Sequence, residues 1–296
     1  MPVPVGDVTR IALATYRDLP QLNEDDRLLQ RALGALGIDA APAVWDSAEE
    51  RWSEYQAVLL RSCWDYHRRL EEFLAWLTVL ERAGTAVWNP VPLVRWNSHK
   101  RYLKDVAAHG VPVVPTRWLR QGDQVGLVQL LAELGWRDAV VKPAVSASAF
   151  GTWRTSPATA AHDQARLDRL ISDGDVMVQP LVAAVAAPGE WSLVFLGGQF
   201  SHAVLKRPAA GDYRVQWEFG GSAVSAVPGA HLVAAAERAL AAAPGEALYA
   251  RVDGVEQDGR LVLMELELIE PHLFFGWSAP AAARLAAALR TALTRP

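Results

Sequence analysis

Residues 250–272 read ARVDGVEQDGRLVLMELELIEPH, and the fold turns on how they pair. Asp258-Gly259 is a hairpin signal, because both residues tolerate the positive φ of a tight turn. The second strand alternates. Val262, Met264, Leu266 and Leu268 fall on one face, with Leu261, Leu263, Glu265, Glu267 and Ile269 on the other. Two carboxylates two residues apart in an apolar strand are costly unless something pairs them. Register decides whether Arg251 and Asp253 join them. A two-residue Asp-Gly turn puts both on the face opposite the glutamates. A three-residue loop over Gln257-Asp258-Gly259 sets Arg251 across from Glu265 and Asp253 diagonal to it, and a bulge at Gly254 has the same effect. That register makes one face with three carboxylates and a guanidinium. Such a face suits a divalent cation that keeps waters and takes phosphate oxygens. The other reading is a solvated sheet face with a surface ion pair, and this strand alone leaves both open.

The segments upstream supply the partners for that face. Residues 10–14 form a short buried strand. Asn23 caps a helix whose first turn is acidic (Glu24, Asp25, Asp26), and whose leucines at 28, 29, 33 and 36 recur at helical spacing up to Gly37. Strands near 41–45 and 57–61 and a helix over 70–80 complete an open α/β unit of about 95 residues. The loop Arg61-Ser62-Cys63-Trp64-Asp65-Tyr66 follows its third strand, where ligands of open α/β sheets sit; Trp64 and Tyr66 could equally just cover the sheet edge. Ser98 caps a helix carrying Lys100. The proline-bounded stretch 111–116 is a natural entrance to a second unit.

Lys142 interrupts the apolar strand 139–143, an expensive position unless it meets an anion. The loop that follows, Ser146-Ala147-Ser148-Ala149-Phe150-Gly151-Thr152, is small and hydroxyl-rich and can fold over phosphates, although such a loop is also an ordinary hairpin. A helix over 158–171 leads to a strand ending Gln179-Pro180-Leu181. A hairpin over Gly197-Gly198 runs from Glu190 to Lys206-Arg207. Residues 213–224 read as a long polar loop with a glycine pair, and alanine-rich helices over 231–243 and 280–293 pack on the final sheet.

The 296 residues suit two or three packed units, and 51% hydrophobic residues are ample for their cores. A net charge of −4 gives no electrostatic footprint for nucleic acid. No apolar run is long enough to span a membrane, and MPVPVGDVTR lacks the basic-then-apolar pattern of a secretory signal. The single cysteine, Cys63, fits a reducing cytoplasm and reads as a buried thiol rather than a nucleophile. The 12 tryptophans read mostly as core and boundary residues.

In order, the chain presents Lys100, Lys142 with a small-residue loop, Gln179-Pro180-Leu181, Glu190, Lys206-Arg207, Arg251-x-Asp253 and Glu265-x-Glu267. This order resembles the ATP-grasp superfamily, in its glutathione-synthetase-like branch of carboxylate–amine ligases, over about residues 10–295. Within that branch the segments RSCWDY (61–66), WNSHKRYL (96–103), VVKPAVSASAFGTW (140–153), GEWSLVF (189–195) and MELELIEPHLF (264–274) are similar to ligases of the O-ureido-D-serine cyclo-ligase type, which act in antibiotic biosynthesis.

The resemblance implies an α/β (α+β) ATP-grasp fold: an N-terminal open α/β substrate domain (1–97), a central lid (98–180) and a C-terminal subdomain with the metal site (181–296). It implies an ADP-forming C–N ligase that activates an amino-acid-like carboxylate as an acyl phosphate for attack by an amine. That amine belongs to the same molecule in the cyclo-ligase case and to a second molecule in the intermolecular one. A nucleotide-binding protein of the same fold without catalysis is the remaining alternative, and the intact lysines and acids argue against it. The resemblance assigns Lys100 and Lys142 to ATP phosphates, with Ser146, Ser148 and Gly151 in the closing loop. It assigns Gln179 and Leu181 to adenine and Glu190 to ribose. Asp253, Glu265 and Glu267 would hold two Mg²⁺, and Lys206 and Arg251 would sit at the transferred phosphoryl group. Glu267 stands where many members have Asn, which adds negative charge to the metal site. A homodimer is implied as well. Arg17, Asp65, Tyr66, Arg214 and His272 are placed by their loops as candidate substrate contacts, with a purely structural His272 as the equal alternative.

Overall fold

The structure, a computed structural model, describes residues 9–294; most of the segment from which no secretory signal is expected (residues 1–8) lies outside them. The first unit contains β1 (Arg10–Thr15), α1 (Glu24–Gly34), β2 (Asp39–Val44), β3 (Ala57–Ser62), α2 (Leu70–Arg82) and β4 (Ala86–Trp88). Its strands are parallel in the order β2-β1-β3-β4. The short strand β4 and the next helix, α3 (Val91–Asn97), escape a reading by hydrophobic period because each is only a few residues long. Ser98 is consequently the C-cap of α3 rather than an N-cap. The following helix, α4 (Tyr102–Ala108), starts later and leaves Lys100 in the turn between the two.

The second sheet joins β5 (Arg117–Leu119), β6 (Ala139–Pro143), β7 (Trp153–Thr155) and β8 (Val176–Pro180) in the order β5-β8-β6-β7, with α5 (Leu127–Leu134) and α6 (Ala160–Asp173) packed on it. The third sheet contains β9 (Glu190–Leu196), β10 (Gln199–Arg207), β11 (Ser222–Ser225), β12 (Tyr249–Gln257) and β13 (Arg260–Glu267) in the order β11-β10-β9-β12-β13. Here α7 (Ala230–Ala241) packs on β12 and β13, whereas α8 (Ala281–Thr294) lies mainly against α1 and closes a core shared with the first sheet. The segment expected as a polar loop therefore contains an edge strand, because residues 222–225 pair with 204–207 of β10.

Residues 98–114 pack with the third sheet. Leu103, Val106 and Val111 share a core with Leu263 and Leu266, and Leu263 exchanges backbone bonds with Pro112 and Val114 at 2.8 and 3.1 Å.

The hairpin β12–β13 corrects the sequence reading in an informative way. Its turn is the two-residue one, with positive φ at both Asp258 and Gly259. The shift comes from a bulge between Asp253 and Gly254, where Met264 is the extra residue on the opposite strand. Asp253 then faces Glu265, and Arg251 faces Glu267 rather than Glu265. The bulge also breaks the alternation: Leu261, Leu263, Leu266 and Leu268 all enter the core under α7, leaving Glu265 and Glu267 on the face of Val262 and Met264. Gly254 permits this, since a Cβ there would meet the Val262 carbonyl oxygen at 2.6 Å.

Candidate active site

That charged face is the floor of a cleft of about 280 Å³ walled by all three sheets and their loops. All the residues assigned above to ATP, metal or phosphoryl transfer line it except Gly151. Gly151 instead shapes the loop: its φ is +67°, and a Cβ would meet Pro143 Cγ at 2.9 Å. Trp64, Tyr66, Arg214 and His272 also line the cleft, whereas Arg17 and Asp65 do not. Arg17 pairs on the surface with Asp46 at 2.9 Å, and Asp65 accepts from Trp45 Nε1 at 2.8 Å and from Arg69. Both are structural.

Arg251 is the hub of the floor. Its Nε and Nη2 donate to Asp253 at 3.0 Å each, Nη2 also reaches Glu267, and Nη1 donates to the His272 carbonyl at 3.0 Å. Lys206 bridges Glu190 Oε1 at 2.6 Å and Asp253 Oδ2 at 3.1 Å. Lys100 bridges Glu265 Oε1 at 2.7 Å and the Ser146 carbonyl at 2.6 Å, which ties the small-residue loop to the acid face. Ser192 Oγ donates to Asp253 Oδ1 at 2.6 Å. Lys142 lines the cleft with no ion pair among the described residues, and burial lowers its ammonium below the usual lysine range.

Burial works to raise Asp253, but Arg251 and Lys206 outweigh it and hold the carboxyl well below its ordinary value. Lys100 and Lys142 likewise overcome burial at Glu265. At Glu267 burial wins over Arg251, with Asp253 and Glu265 adding to it, and the carboxyl is pushed up to about 7. Burial also raises Cys63, in keeping with an inert thiol.

Gln179 lines the cleft while its Nε2 donates to Thr116 Oγ1 at 2.8 Å. The Leu181 N–H is already committed to the Asp138 carbonyl at 2.9 Å. Among the described residues the N–H of Val182, the next cleft residue, has no such partner, so it is the better backbone donor on that strand end. Val182 was missed because backbone donors carry no residue-type signature. Ser192 had one: it follows Glu190 by two residues on a strand and so shares its face. Asn97 and Tyr102 were missed as well. Asn97 brackets β13 through Leu266 O (2.8 Å) and Leu268 N (2.9 Å), and Tyr102 Oη accepts from Leu266 N at 3.0 Å.

No three His, Cys, Asp or Glu side chains among the described residues are arranged to hold a metal ion unaided. The donor set is nevertheless all-oxygen and anionic, the chemistry of a hard cation that draws its remaining ligands from phosphates and water. Each acid on the floor is held by a lysine or arginine that a triphosphate would also attract.

Comparison with known proteins agrees with this geometry. Residues 11–89 match the family described as D-cycloserine synthetase DcsG, N-terminal domain. The cycloserine biosynthesis protein DcsG of Streptomyces lavendulae is 35% identical over 293 residues, which span 94% of this chain and 95% of that protein. The chain belongs to the DcsG family. A crystal structure of D-cycloserine synthetase DcsG superimposes with a TM-score of 0.87 at 32% identity, covering 96% of this chain and all of that one. D-alanine–D-alanine ligase from Bacillus anthracis shares the fold at a TM-score of 0.71 and 16% identity, over 96% and 97% of the two chains. The DcsG-family chain is thus an ATP-dependent ligase of ATP-grasp fold that joins a carboxylate to an amine, as the order of its motifs implies. No helix among the described residues is long and apolar enough to cross a membrane.

Proposed function

We propose that this ligase closes a ring within one small amino-acid-like molecule, with O-ureido-D-serine as the substrate, in the cytoplasm and in the service of antibiotic biosynthesis. The observation that carries the reading is near-full-length similarity to a cycloserine biosynthesis protein together with one cleft that gathers the whole charged set. In this reading residues 1–97 hold substrate, 98–180 form the lid and 181–296 carry the metal face, in a chain that pairs as a homodimer.

A carboxylate is a poor electrophile, and phosphorylation by ATP gives it a leaving group. Lys100, Lys142 and Lys206 bind and neutralise phosphate oxygens; Gln179 and the 181–182 backbone hold adenine, and Glu190 the ribose. Asp253, Glu265 and Glu267 would hold Mg²⁺, two ions in number, which offsets charge on the phosphates. Arg251, fixed by Asp253 and the His272 carbonyl, orients the acyl oxyanion. Ser146 and Ser148 carry the loop that covers the phosphates and excludes water, which would otherwise hydrolyse the acyl phosphate. Attack within one molecule benefits from high effective molarity, so positioning does much of the catalysis.

The test is ADP release with Mg²⁺-ATP across a panel of amino acids including O-ureido-D-serine, with Glu265→Ala alongside. Turnover on O-ureido-D-serine that the variant abolishes supports the reading. Turnover only with another carboxylate plus a separate amine replaces ring closure by intermolecular ligation. ATP binding without turnover on any substrate favours a non-catalytic nucleotide-binding role.

A further inference from the structure

Glu270 and the exposed Glu218 are the acids in this cleft that the account above leaves without a task, and Glu270 is the one that follows the acid floor directly in the chain. The other acids on the sheet floor are each tied to a lysine or arginine: Asp253 to Arg251 and Lys206, Glu265 to Lys100, Glu267 to Arg251, Glu190 to Lys206. Glu270 has no ion pair and no side-chain hydrogen bond to another residue among the described residues, although it lines the same cleft.

Its position is fixed from both sides. Trp64 Nε1 donates to its backbone carbonyl at 3.2 Å, and the Pro271 carbonyl beside it accepts from the buried Arg61 at 2.8 Å. The side chain therefore stands where the loop after β3 meets the end of β13. Besides the acid floor and the Gln179 strand end, the cleft therefore has a far end toward the first unit, lined by Trp64, Tyr66, Glu270 and His272. A substrate whose carboxylate is phosphorylated over the floor must extend the rest of itself into that far end.

We propose that Glu270 is a catalytic residue that receives the attacking nitrogen and accepts its proton as the amide bond forms. The nitrogen lone pair makes the C–N bond to the acyl-phosphate carbonyl. The C–O bond to phosphorus breaks at carbon, and its electron pair leaves with inorganic phosphate. The N–H proton passes to a Glu270 carboxylate oxygen and from there to solvent. Burial, reinforced by Glu267, pushes the Glu270 carboxyl up to about 8. Above that value the group is ionised and a stronger base than an exposed carboxylate, better matched to a nitrogen acid, so amide formation is expected to rise with pH through this range. With no cation paired to it among the described residues, the Glu270 carboxylate is left to accept a hydrogen bond from the attacking nitrogen.

This proposal rests on the ligase reading, and the experiment separates the two. Wild type and Glu270→Gln are assayed with Mg²⁺-ATP and O-ureido-D-serine, with and without hydroxylamine as a trap for the acyl phosphate. Glu270→Gln is expected to retain nucleotide binding and hydroxamate formation within about threefold of wild type while amide product falls at least ~100-fold, the scale of a lost general base. Glu270→Asp, which keeps the carboxylate one methylene short, is expected to recover part of the product rate without changing hydroxamate yield. Product formation by Glu270→Gln within a few fold of wild type overturns the proposal. Hydroxamate and product falling together in both variants overturns it too, since that places Glu270 in the ATP half of the reaction or in the fold. No hydroxamate and no turnover by the wild type overturns the functional reading itself, and this assignment with it.

Discussion

Two buried ion-pair clusters lie on either side of the 268–272 segment, and they differ in how many partners each charge keeps. Behind β1 and β3, Arg61 (1% exposed) donates from Nε to Asp26 Oδ1 at 2.8 Å, and the other Asp26 oxygen accepts from Ser62 and from Asn23 at 2.9 Å. Asp26 is the one carboxylate that Arg61 holds. On the floor of the cleft, Arg251 keeps both Asp253 and Glu267, Lys206 keeps both Glu190 and Asp253, and Lys100 keeps Glu265 and a carbonyl. A closed pair locks a structure, because losing either member strands a buried charge. A shared network can release one member to a ligand while every charge retains a partner. Access and redundancy, more than burial, separate structural from catalytic charge here.

The sharpest way to break this comparison is at the closed pair. Asp26→Ala is expected to destabilise the fold by about 3–5 kcal/mol, the usual result of leaving a buried charge unpaired. Turnover per folded molecule is expected to stay unchanged. A double replacement, Asp26→Leu with Arg61→Met, is expected to restore most of the loss. Denaturant midpoints read both, and a single variant that unfolds no more easily than wild type would refute the distinction.

The open network should respond the other way. Asp253→Asn is expected to lower ADP release by about 10²–10³-fold, as removal of a charge-stabilising group does. Its stability is expected to fall by only about 1–2 kcal/mol, because Arg251 still holds Glu267 and Lys206 still holds Glu190. Equal losses of stability at Asp253 and Asp26 would show that partner redundancy does not matter.

The sequence disclosed the open network far better than the closed pair, and the reason is physical. Arg251-x-Asp253 and Glu265-x-Glu267 are charges in apolar strands, an expensive arrangement visible in any register that buries them. Asp25 and Asp26 sit in the first turn of α1, where acids are expected anyway for the helix dipole, so nothing marked them as buried. Asn23 does cap that helix, accepting from Asp26 N at 2.7 Å, while both aspartates turn inward. A bulge at Gly254 was one of the registers the sequence left open, and only the pairing shows that Met264 is the extra residue and that Arg251 meets Glu267. The resemblance assigns Leu181 to adenine, yet its N–H is spent on the Asp138 carbonyl. Side-chain chemistry was legible; backbone commitments were not.

Asp25 lies between the two clusters and sharpens the comparison through pH. It is 6% exposed, one carboxyl oxygen accepts from Gly276 N at 3.1 Å, and the other is buried without a partner. Burial pushes the carboxyl from 3.8 to about 6. His272, at 3.8 Å, is itself driven down to about 4 by burial and so offers no charge in that interval. Between these values native Asp25 binds more protons than it does in the unfolded chain, so its own contribution to stability falls as pH rises from about 4 to about 6, against the opposite contributions of His272 and His67, whose imidazoles burial holds down at about 4. The full effect is roughly 3 kcal/mol. Asp25→Asn is expected to gain stability relative to wild type as pH rises through this interval and to be the more stable protein at pH 8. A stability difference between wild type and Asp25→Asn that stays constant over this interval would show that Asp25 finds a cationic partner.

The smallest expected effect concerns how the cleft closes. The 146–152 loop carries positive φ at Ser148, Ala149 and Gly151, and this turn presents Phe150, 48% exposed, to the first unit. There the Arg68 guanidinium lies 5.1 Å and the His67 ring 5.2 Å from the Phe150 ring. An exposed cation–π contact of this kind is worth about 0.5–1 kcal/mol. That is too little to hold the fold, but enough to bias a loop that, in the proposed reading, closes over the nucleotide. The contact joins the 146–152 loop to the first unit across the cleft, so in the reading proposed above its loss lets water reach the acyl phosphate. Phe150→Ala is therefore expected to leave stability unchanged and to raise ADP release without amide formation by about two- to fivefold. Arg68→Ala should do the same, and the double variant should add little, since both remove one contact. Additive effects in that double-mutant cycle would mean that Phe150 and Arg68 act separately, and that the loop closes by its own backbone and the Lys100–Ser146 bond alone.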